Sequence, residues 1–496
     1  MSQEALRGVA ERAEPSVASI CEALLALESE LELFSWRLEG VAPWPLMRMP
    51  LYYALTKSLG VFGAPHGSSR WRGRLWRGGR LWLYAACAYL TRPQAPTELL
   101  IFDHPRKVWR GERAVDLYSE ALIEALKRRG VPIEVYENLS YLNDELSPRD
   151  HPRRYHDLIS TLAQLGARLS LKLSPPQLSE TDEALLESLE RGLEERLGAQ
   201  ISLRPMALRL TREFRIRCAR YRKLLRRHRP KGLVVVIAYA HSMAPLIAAA
   251  RELGIPSFEL QHGTFSAYHL GYHFPQLKAH PYFCDHLLSF GDFWADMAQL
   301  PLPPESIKSL GFRHMSEQLK VPQRPLEERD EVLFLSQGVI GEGLSRYALV
   351  CAERELPWRL IYKLHPSEYG TWRAELPALA RAADAGALEV IDHGETPLYE
   401  LMGRARYQVG VFSTALYEGL ALGCQTLLAA LPGLEYMRPL IDQGCAELVS
   451  SPRALVERLR GGQVSSTAMS APPEVFAPPR EESVDWLLAR LKGREP

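Results

Sequence analysis

Ser413 and Thr414 follow the apolar run VGVF at 409–412 and precede ALYEGLALG, whose apolar residues recur at helical spacing. A strand that runs into a helix at this point leaves backbone N–H groups free, and the positive end of the helix dipole favours a phosphate there. Glu418 stands one turn inside that helix, within reach of a ribose hydroxyl. Simple N-capping beside a surface Glu accounts for the same residues. A second set is YKLHPSE at 362–368. Its strand delivers Lys363, His365 and Pro366 to a loop, where a His can donate to a leaving phosphate and Pro fixes the chain direction. A third is ELQHGTFS at 259–266, where Gly263 permits close backbone approach and Gln261 and His262 can face a cleft. In LLIFDHPRKVWRG, at 99–111, Asp103 and His104 are candidates for the base that takes a proton from an acceptor hydroxyl. Arg106 and Lys107 are set there to meet anionic groups. The turn FLSQGVIGEG, at 334–343, brings Gln337 and Gly338 to the same edge, with Glu342 as a reserve base. Its Gly338, Gly341 and Gly343 match neither GxGxxG nor a Walker loop, which disfavours a dinucleotide dehydrogenase or a P-loop kinase.

The elements that position these residues have βαβ grammar. Strands are expected at 98–102, 131–137, 232–240, 255–263 and 286–293, with a helix near 112–129 and another at 243–253. After a Pro-rich, charged linker near 315–330, strands are expected at 332–337, 359–366, 388–392, 407–413 and 425–430. Helices are expected near 343–355, 371–385, 396–404 and 414–422. The fold class is therefore α/β, with two Rossmann-like domains facing a central cleft lined by strand carboxyl ends. The expected division is a helical, basic-aromatic extension at 1–95, a first Rossmann-like acceptor domain at 96–320, a second, nucleotide-donor domain at 325–470, and a tail with a helix at 471–496. Residues 16–38 have the pattern of an amphipathic helix.

The chain has 496 residues, enough for two or three domains with cores of their own. Lys and Arg number 60 against 59 Asp and Glu, so a general nucleic-acid binder is not expected. Seven scattered cysteines with no C-x-x-C pair suggest a reducing compartment, no disulfide framework and no metal site. No apolar run is long enough to span a membrane and the N-terminus lacks a signal-peptide pattern, so a cytoplasmic protein is expected. Between Val41 and Thr97 there is no Asp or Glu, while Arg48, Lys57, Arg70, Arg72, Arg74, Arg77, Arg80 and Arg92 interleave with Trp44, Trp71, Trp76 and Trp82. That composition suits peripheral contact with the anionic inner face of a membrane, and equally a partly buried helix with a solvated Arg face. The stretch 203–230 holds eleven Arg or Lys and one Glu at helical spacing. One of its faces is a candidate for a polyanionic acceptor, while Leu208, Leu210, Phe214, Ile216 and Leu224 must pack.

The order QHG, LSQ, KLHPSE, FSTALYEGLALG resembles bacterial GT-B glycosyltransferases that build capsule and surface polysaccharide, including polysialyltransferase-like and Kdo-transferase-like enzymes and the related polyol-phosphate transferases. The resemblance covers roughly residues 230–450. It implies two Rossmann-like domains, no catalytic metal and no cofactor beyond a nucleotide-activated sugar as substrate, with a CMP-linked acidic sugar preferred. His365 matches the His of the HP motif that contacts the donor phosphate, and Ser413 and Thr414 match the Ser/Thr motif that also holds phosphate. The family's paired acidic motif ending in Gly is not matched: Asp103 is followed by His, and Glu342–Gly343 matches only in part. The chain carries no D-x-D, so a leaving phosphate would be met by helix dipoles, His, Lys and Arg. The expected reaction is sugar transfer to a surface glycan or lipid-linked acceptor. A CDP-polyol phosphotransferase and a nucleotide-sugar epimerase on the same scaffold are the alternative enzymes, and a glycan- or lipid-binding scaffold the non-catalytic one.

Overall fold

The computed structural model describes residues 15–62, 97–104, 106–137, 154–174, 177–461 and 474–492. Its first half carries β1 (Leu99–Phe102), β2 (Lys107–Arg110), β3 (Arg113–Asp116), β4 (Ile133–Glu137), β5 (Arg154–Tyr155), β6 (Gly232–Val236), β7 (Ser257–Leu260), β8 (His286–Ser289) and β9 (Ile307–Ser309). Seven of them form a parallel sheet in the order β5-β4-β1-β6-β7-β8-β9. The second half carries β10 (Glu331–Leu335), β11 (Arg359–Lys363), β12 (Glu389–Ile391), β13 (Ala405–Gly410), β14 (Gln425–Ala429) and β15 (Ala446–Val449). These six, again all parallel, lie in the order β12-β11-β10-β13-β14-β15. Both are doubly wound Rossmann-like sheets. The strand order reverses between β1 and β6 in the first and between β10 and β13 in the second, the two places where such sheets open a crevice.

The side-chain period of two explains the layering. In β1 and β6, Leu100, Phe102, Leu233 and Val235 enter one core, while Leu99, Ile101, Val234 and Val236 enter another. The first core is closed by the helices Val17–Glu30, Trp44–Ser58, Arg204–His228 and Ala244–Glu252. The opposite face meets the helices Glu120–Arg128 and Glu481–Lys492. In the second sheet Val332, Phe334, Tyr362, Val409 and Leu427 turn to one face, and Leu333, Leu335, Ile361 and Leu428 to the other.

The two domains are joined by packing as well as by chain. Trp294 of the first lies 4.9 Å, ring to ring, from Tyr417 of the second. Near its end the chain crosses back to the first domain: the Trp294 indole donates to Val475 O at 2.8 Å, and Ala477 exchanges backbone bonds with Phe290 and Phe312. Gly311 (φ +85°) has to be glycine here, because a Cβ would stand 2.1 Å from Pro478 O. Among the described residues no helix is long and apolar enough to cross a membrane.

One expectation is corrected, and two readings that the sequence left open are decided for the residues described. Residues 112–116, expected as the start of a helix near 112–129, belong instead to the antiparallel hairpin β2–β3 with Gly111 in its turn, and the helix begins only at Glu120. The hairpin's alternation KVWRGERAVD is a strand signal that the helix-forming residues after it obscured. Arg48 and Trp44 do not form a membrane-facing surface. Both are buried and both donate to the Glu28 carboxylate, at 2.7 and 2.8 Å, and Arg48 also donates to the Leu270 and His273 carbonyls. The remaining Arg and Trp residues of that run, from 70 to 92, lie outside the described residues. The basic helix Arg204–His228 is not a free cationic face either. Arg212 and Arg215 pair with Glu39, Arg217 with Glu213, Arg222 with Glu252 and Arg204 with Glu183.

Removing one partner of a buried ion pair leaves an uncompensated charge, whereas an exposed pair is largely screened. Arg48→Ala is therefore expected to lower the unfolding free energy by about 3–5 kcal/mol in urea titrations. Arg346→Ala, which breaks the exposed Arg346–Glu342 pair, is expected to change it by about 1 kcal/mol or less.

Candidate active site

The carboxyl edges of both sheets open onto one cavity of about 940 Å³ between the domains. The first domain contributes His262, Gly263, Thr264, His269 and Leu270; the second contributes Gln337, Val339, Phe412, Ser413, Thr414 and Tyr436. The helix Trp44–Ser58 closes a side of it with Met49, Tyr52, Tyr53, Thr56 and Lys57. This wall was not legible in the sequence, where the helix had been read with the basic-aromatic run.

On the second domain, β13 ends at Gly410 and the helix Thr414–Ala421 starts beyond it with Ser413 as N-cap. The Ser413 hydroxyl accepts the Ala415 N–H at 3.2 Å, so the plain capping role is present, and Ser413 and Thr414 both face the cavity at the positive end of the helix. Gly433 (φ +95°) lets Phe412 pack, since a Cβ there would meet its ring at 2.3 Å. Glu418 is buried. Burial raises its pKa, against the opposing pull of Arg106 and Tyr399.

The loop after β11 is held by a residue whose role the sequence did not signal. Glu368 is buried and accepts the His365 N–H at 2.7 Å and the Ser336 hydroxyl at 2.9 Å. This explains the glycines of the 334–343 turn. A Cβ on Gly341 would lie 2.3 Å from the Glu368 carboxylate, and one on Gly338 would lie 2.8 Å from the Ser367 hydroxyl. Thus the glycine spacing serves the loop carrying His365. His365 is exposed, and its Nδ1 accepts the Ser367 N–H at 3.2 Å with the Ser367 hydroxyl at 2.7 Å. A ring nitrogen that accepts a backbone N–H carries no proton, so the His365 proton sits on Nε2, as a donor. Although the ring reaches solvent, partial desolvation by the surrounding loop, and Arg106 after it, lower its pKa.

Lys363 does not enter the cavity: its ammonium donates to Tyr369 Oη at 2.5 Å and His393 O at 2.6 Å. Pro366 follows His365 in the loop. Glu342, at the start of the helix Gly341–Ala352, is exposed and bound to Arg346 at 2.6 Å, outside the cavity lining. Asp103 is also placed unlike an available base. It is buried in an ion pair with Lys107, with Asp116 and Glu137 close enough to raise its pKa further after burial itself. Lys107 is thereby spent on carboxylates rather than on a ligand. Asp116 fixes the neighbouring loop by accepting the His104, Tyr118 and Ser119 N–H groups at 2.7, 2.9 and 2.6 Å.

His104 is outside the cavity lining, but its ring lies 6.1 Å from that of His262, which is part of it. Its Nδ1 accepts the Arg106 N–H at 3.1 Å, which places the proton on Nε2. Burial lowers its pKa to about 4. Arg106 reaches from the first domain toward the second: Tyr118, Glu418 and Tyr399 surround it and hold its pKa up against the cost of burial. Gln261 is structural, its amide donating to Gly263 O at 2.8 Å and its oxygen accepting the Phe290 N–H at 2.8 Å. Among the described residues no three His, Cys, Asp or Glu side chains gather in a way that would hold a metal ion.

No protein-family model and no curated protein matches the chain. Solved structures do share its outline. MurG from Acinetobacter baumannii aligns over 79% of this chain and 100% of its own at 12% identity and a TM-score of 0.46. CalG4, the calicheamicin glycosyltransferase, aligns over 81% and 100% at 15% and 0.47. The UDP-GlcNAc 2-epimerase from Neisseria meningitidis, bound to UDP-GlcNAc, aligns over 79% and 100% at 12% and 0.44. Scores this low carry no inference of activity. The two doubly wound sheets and their shared cleft, the GT-B arrangement, rest on the strand order itself.

Glu368→Ala leaves the His365 N–H and the Ser336 hydroxyl without their acceptor. It is expected to cost about 1–3 kcal/mol in chemical unfolding.

Proposed function

We propose that the chain is a glycosyltransferase that moves a sugar from a nucleotide donor to a hydroxyl acceptor. The observation that carries this reading is the helix start at Ser413–Thr414 facing the interdomain cavity, with the His365 Nε2–H donor on a strand-end loop of the same domain and Arg106 of the first domain close enough to Glu418 and His365 to act on both electrostatically. Breaking a glycosidic bond to a nucleotide leaves negative charge on phosphate. Fixed N–H donors and a nearby cation lower that barrier, because they need no reorganisation as the charge develops. Glu418, expected to reach a ribose hydroxyl, is instead buried beside Arg106 and Tyr399 and outside the cavity lining, where it acts on Arg106.

A CMP-linked acidic sugar remains the preferred donor, with Arg106 as the residue to meet its carboxylate, and a glycan or lipid-linked molecule as acceptor. The test is a thermal-shift titration with CMP, CDP, UDP, GDP and ADP, in which a ligand at about 100 times its dissociation constant stabilises by roughly 2.7 kcal/mol. Selective stabilisation by CMP is the expected result. A CDP response would move the reading to polyol-phosphate transfer, and a UDP or GDP response would change the donor alone. Absence of any response would remove the transferase. With the matching nucleotide sugar, His365→Ala is expected to lower kcat about 10²–10³-fold without loss of the folded state. Unchanged turnover would overturn that role.

A further inference from the structure

The cleft contains one histidine wired in the opposite sense to its neighbours. His104, His269 and His365 each accept a backbone N–H at Nδ1, from Arg106, Gly271 and Ser367 at 3.1, 3.2 and 3.2 Å. All three therefore present Nε2–H, a donor. His262 Nδ1 instead lies 3.1 Å from the Tyr272 hydroxyl. That hydroxyl is committed as a donor, at 2.6 Å, to the Glu259 carboxylate, so what it offers His262 is its lone pair. The proton of His262 must then be on Nδ1, and its Nε2 is a free acceptor. His262 lines the cavity, and no described residue bonds that nitrogen.

The chain Glu259–Tyr272–His262 is built into the fold rather than fortuitous. Glu259 is fully buried at the end of β7, and burial raises its pKa to about 7 against the Tyr272 hydroxyl and the Ala238 N–H, which both favour the ionised, accepting form. Its carboxylate also accepts the Ala238 N–H at 2.9 Å. The preceding residue, Ile237, holds φ +62°, a left-handed conformation that a β-branched side chain adopts only under constraint. That turn aims the Ala238 N–H at Glu259. Tyr272 is fully buried, and Arg48 grips the carbonyls of Leu270 and His273 on either side of it.

We propose that His262 is the catalytic base of the transfer, its Nε2 taking the proton of the acceptor hydroxyl, with Tyr272 and Glu259 as positioning residues that fix its tautomer and ring. This rests on the transferase reading given above. In the step, the acceptor O–H proton passes to His262 Nε2 as the acceptor oxygen bonds the anomeric carbon. The bond from that carbon to the phosphate oxygen breaks, and its electron pair leaves on the nucleotide, where His365 Nε2–H and the helix start receive the charge. The imidazolium shares its Nδ1 proton with Tyr272 and returns the other to solvent. Burial holds the His262 pKa well below its ordinary value, and His104 and His269 add to this, so the resting ring carries no charge and its Nε2 lone pair is free. The groups that face it are His104 and Tyr118 from the loops after β1 and β3, Tyr239 after β6, and His269 and Tyr272 beyond β7.

The test uses the full chain labelled with 15N at histidine, comparing wild type with Tyr272→Phe and Glu259→Gln and assigning the ring by His262→Gln. Long-range 15N–1H correlation is expected to show His262 protonated at Nδ1 in wild type and to lose that preference in Tyr272→Phe. A wild-type ring protonated at Nε2 overturns the proposal. Turnover is read as nucleotide release from CMP-linked sialic acid, or from the nucleotide sugar that the titration selects. His262→Gln is expected to lower kcat about 10²–10⁴-fold and Tyr272→Phe about 10–100-fold, with the donor KM unchanged in both. Wild-type kcat in His262→Gln overturns the base assignment. The tautomer needs no substrate, so a protein that bound no nucleotide would lose the transferase reading while the relay itself was still decided by its spectrum.

Discussion

Each domain of this protein depends on a buried carboxylate that accepts a backbone N–H at the carboxyl edge of its sheet. In the first domain Glu259 takes the Ala238 N–H and the Tyr272 hydroxyl; in the second Glu368 takes the His365 N–H and the Ser336 hydroxyl. A carboxylate removed from water is costly unless donors surround it, so such a residue forces its loop into the one shape that supplies them. Asp116 does the same for the loop carrying His104 and Tyr118. The three anchors turn strand-end loops, normally the most mobile parts of an α/β fold, into rigid holders for histidines.

The histidines then acquire opposite roles from the same side chain. A backbone N–H pointed at Nδ1 makes a donor at Nε2, whereas a committed tyrosine hydroxyl at Nδ1 makes an acceptor there. His365 on one domain and His262 on the other are set in these two ways. The proposed transfer, from a phosphate leaving group to a hydroxyl acceptor, would use one of each. The glycines nearby serve the same end: Gly338 and Gly341 leave room for Ser367 and Glu368 rather than for a ligand.

Stability and the cavity are linked through the N-terminal helices. The Glu28–Arg48 pair fixes the helix Trp44–Ser58, and through the Leu270 and His273 carbonyls it also fixes the segment bearing Tyr272. Across the cleft, the Tyr52 and Tyr436 hydroxyls meet and Ala18 N donates to Glu435. The helical preface is thus a wall that touches both domains. Folding it onto the first sheet buries Trp44 and Arg48, which accounts for basic and aromatic residues in a segment whose composition alone suggested a surface.

Strand and helix alternation, the two Rossmann-like halves and the placement of His365, Ser413, Thr414 and His262 at strand ends were all present in the order of residues. A buried parallel strand needs an unbroken apolar run, and the turn after it must be polar or small. What no local pattern carried was partnership. Asp103 and Glu342 have the chemistry of a base, yet Lys107 and Arg346 engage them, at sequence separations of four that could equally have left them apart. Glu259 and Tyr272 had no signal at all, because their meaning lies in a hydrogen bond between a strand end and a loop thirteen residues on. Sequence fixes which groups can accept or donate a proton. Only the fold, by deciding what stands against each nitrogen, determines which of them does.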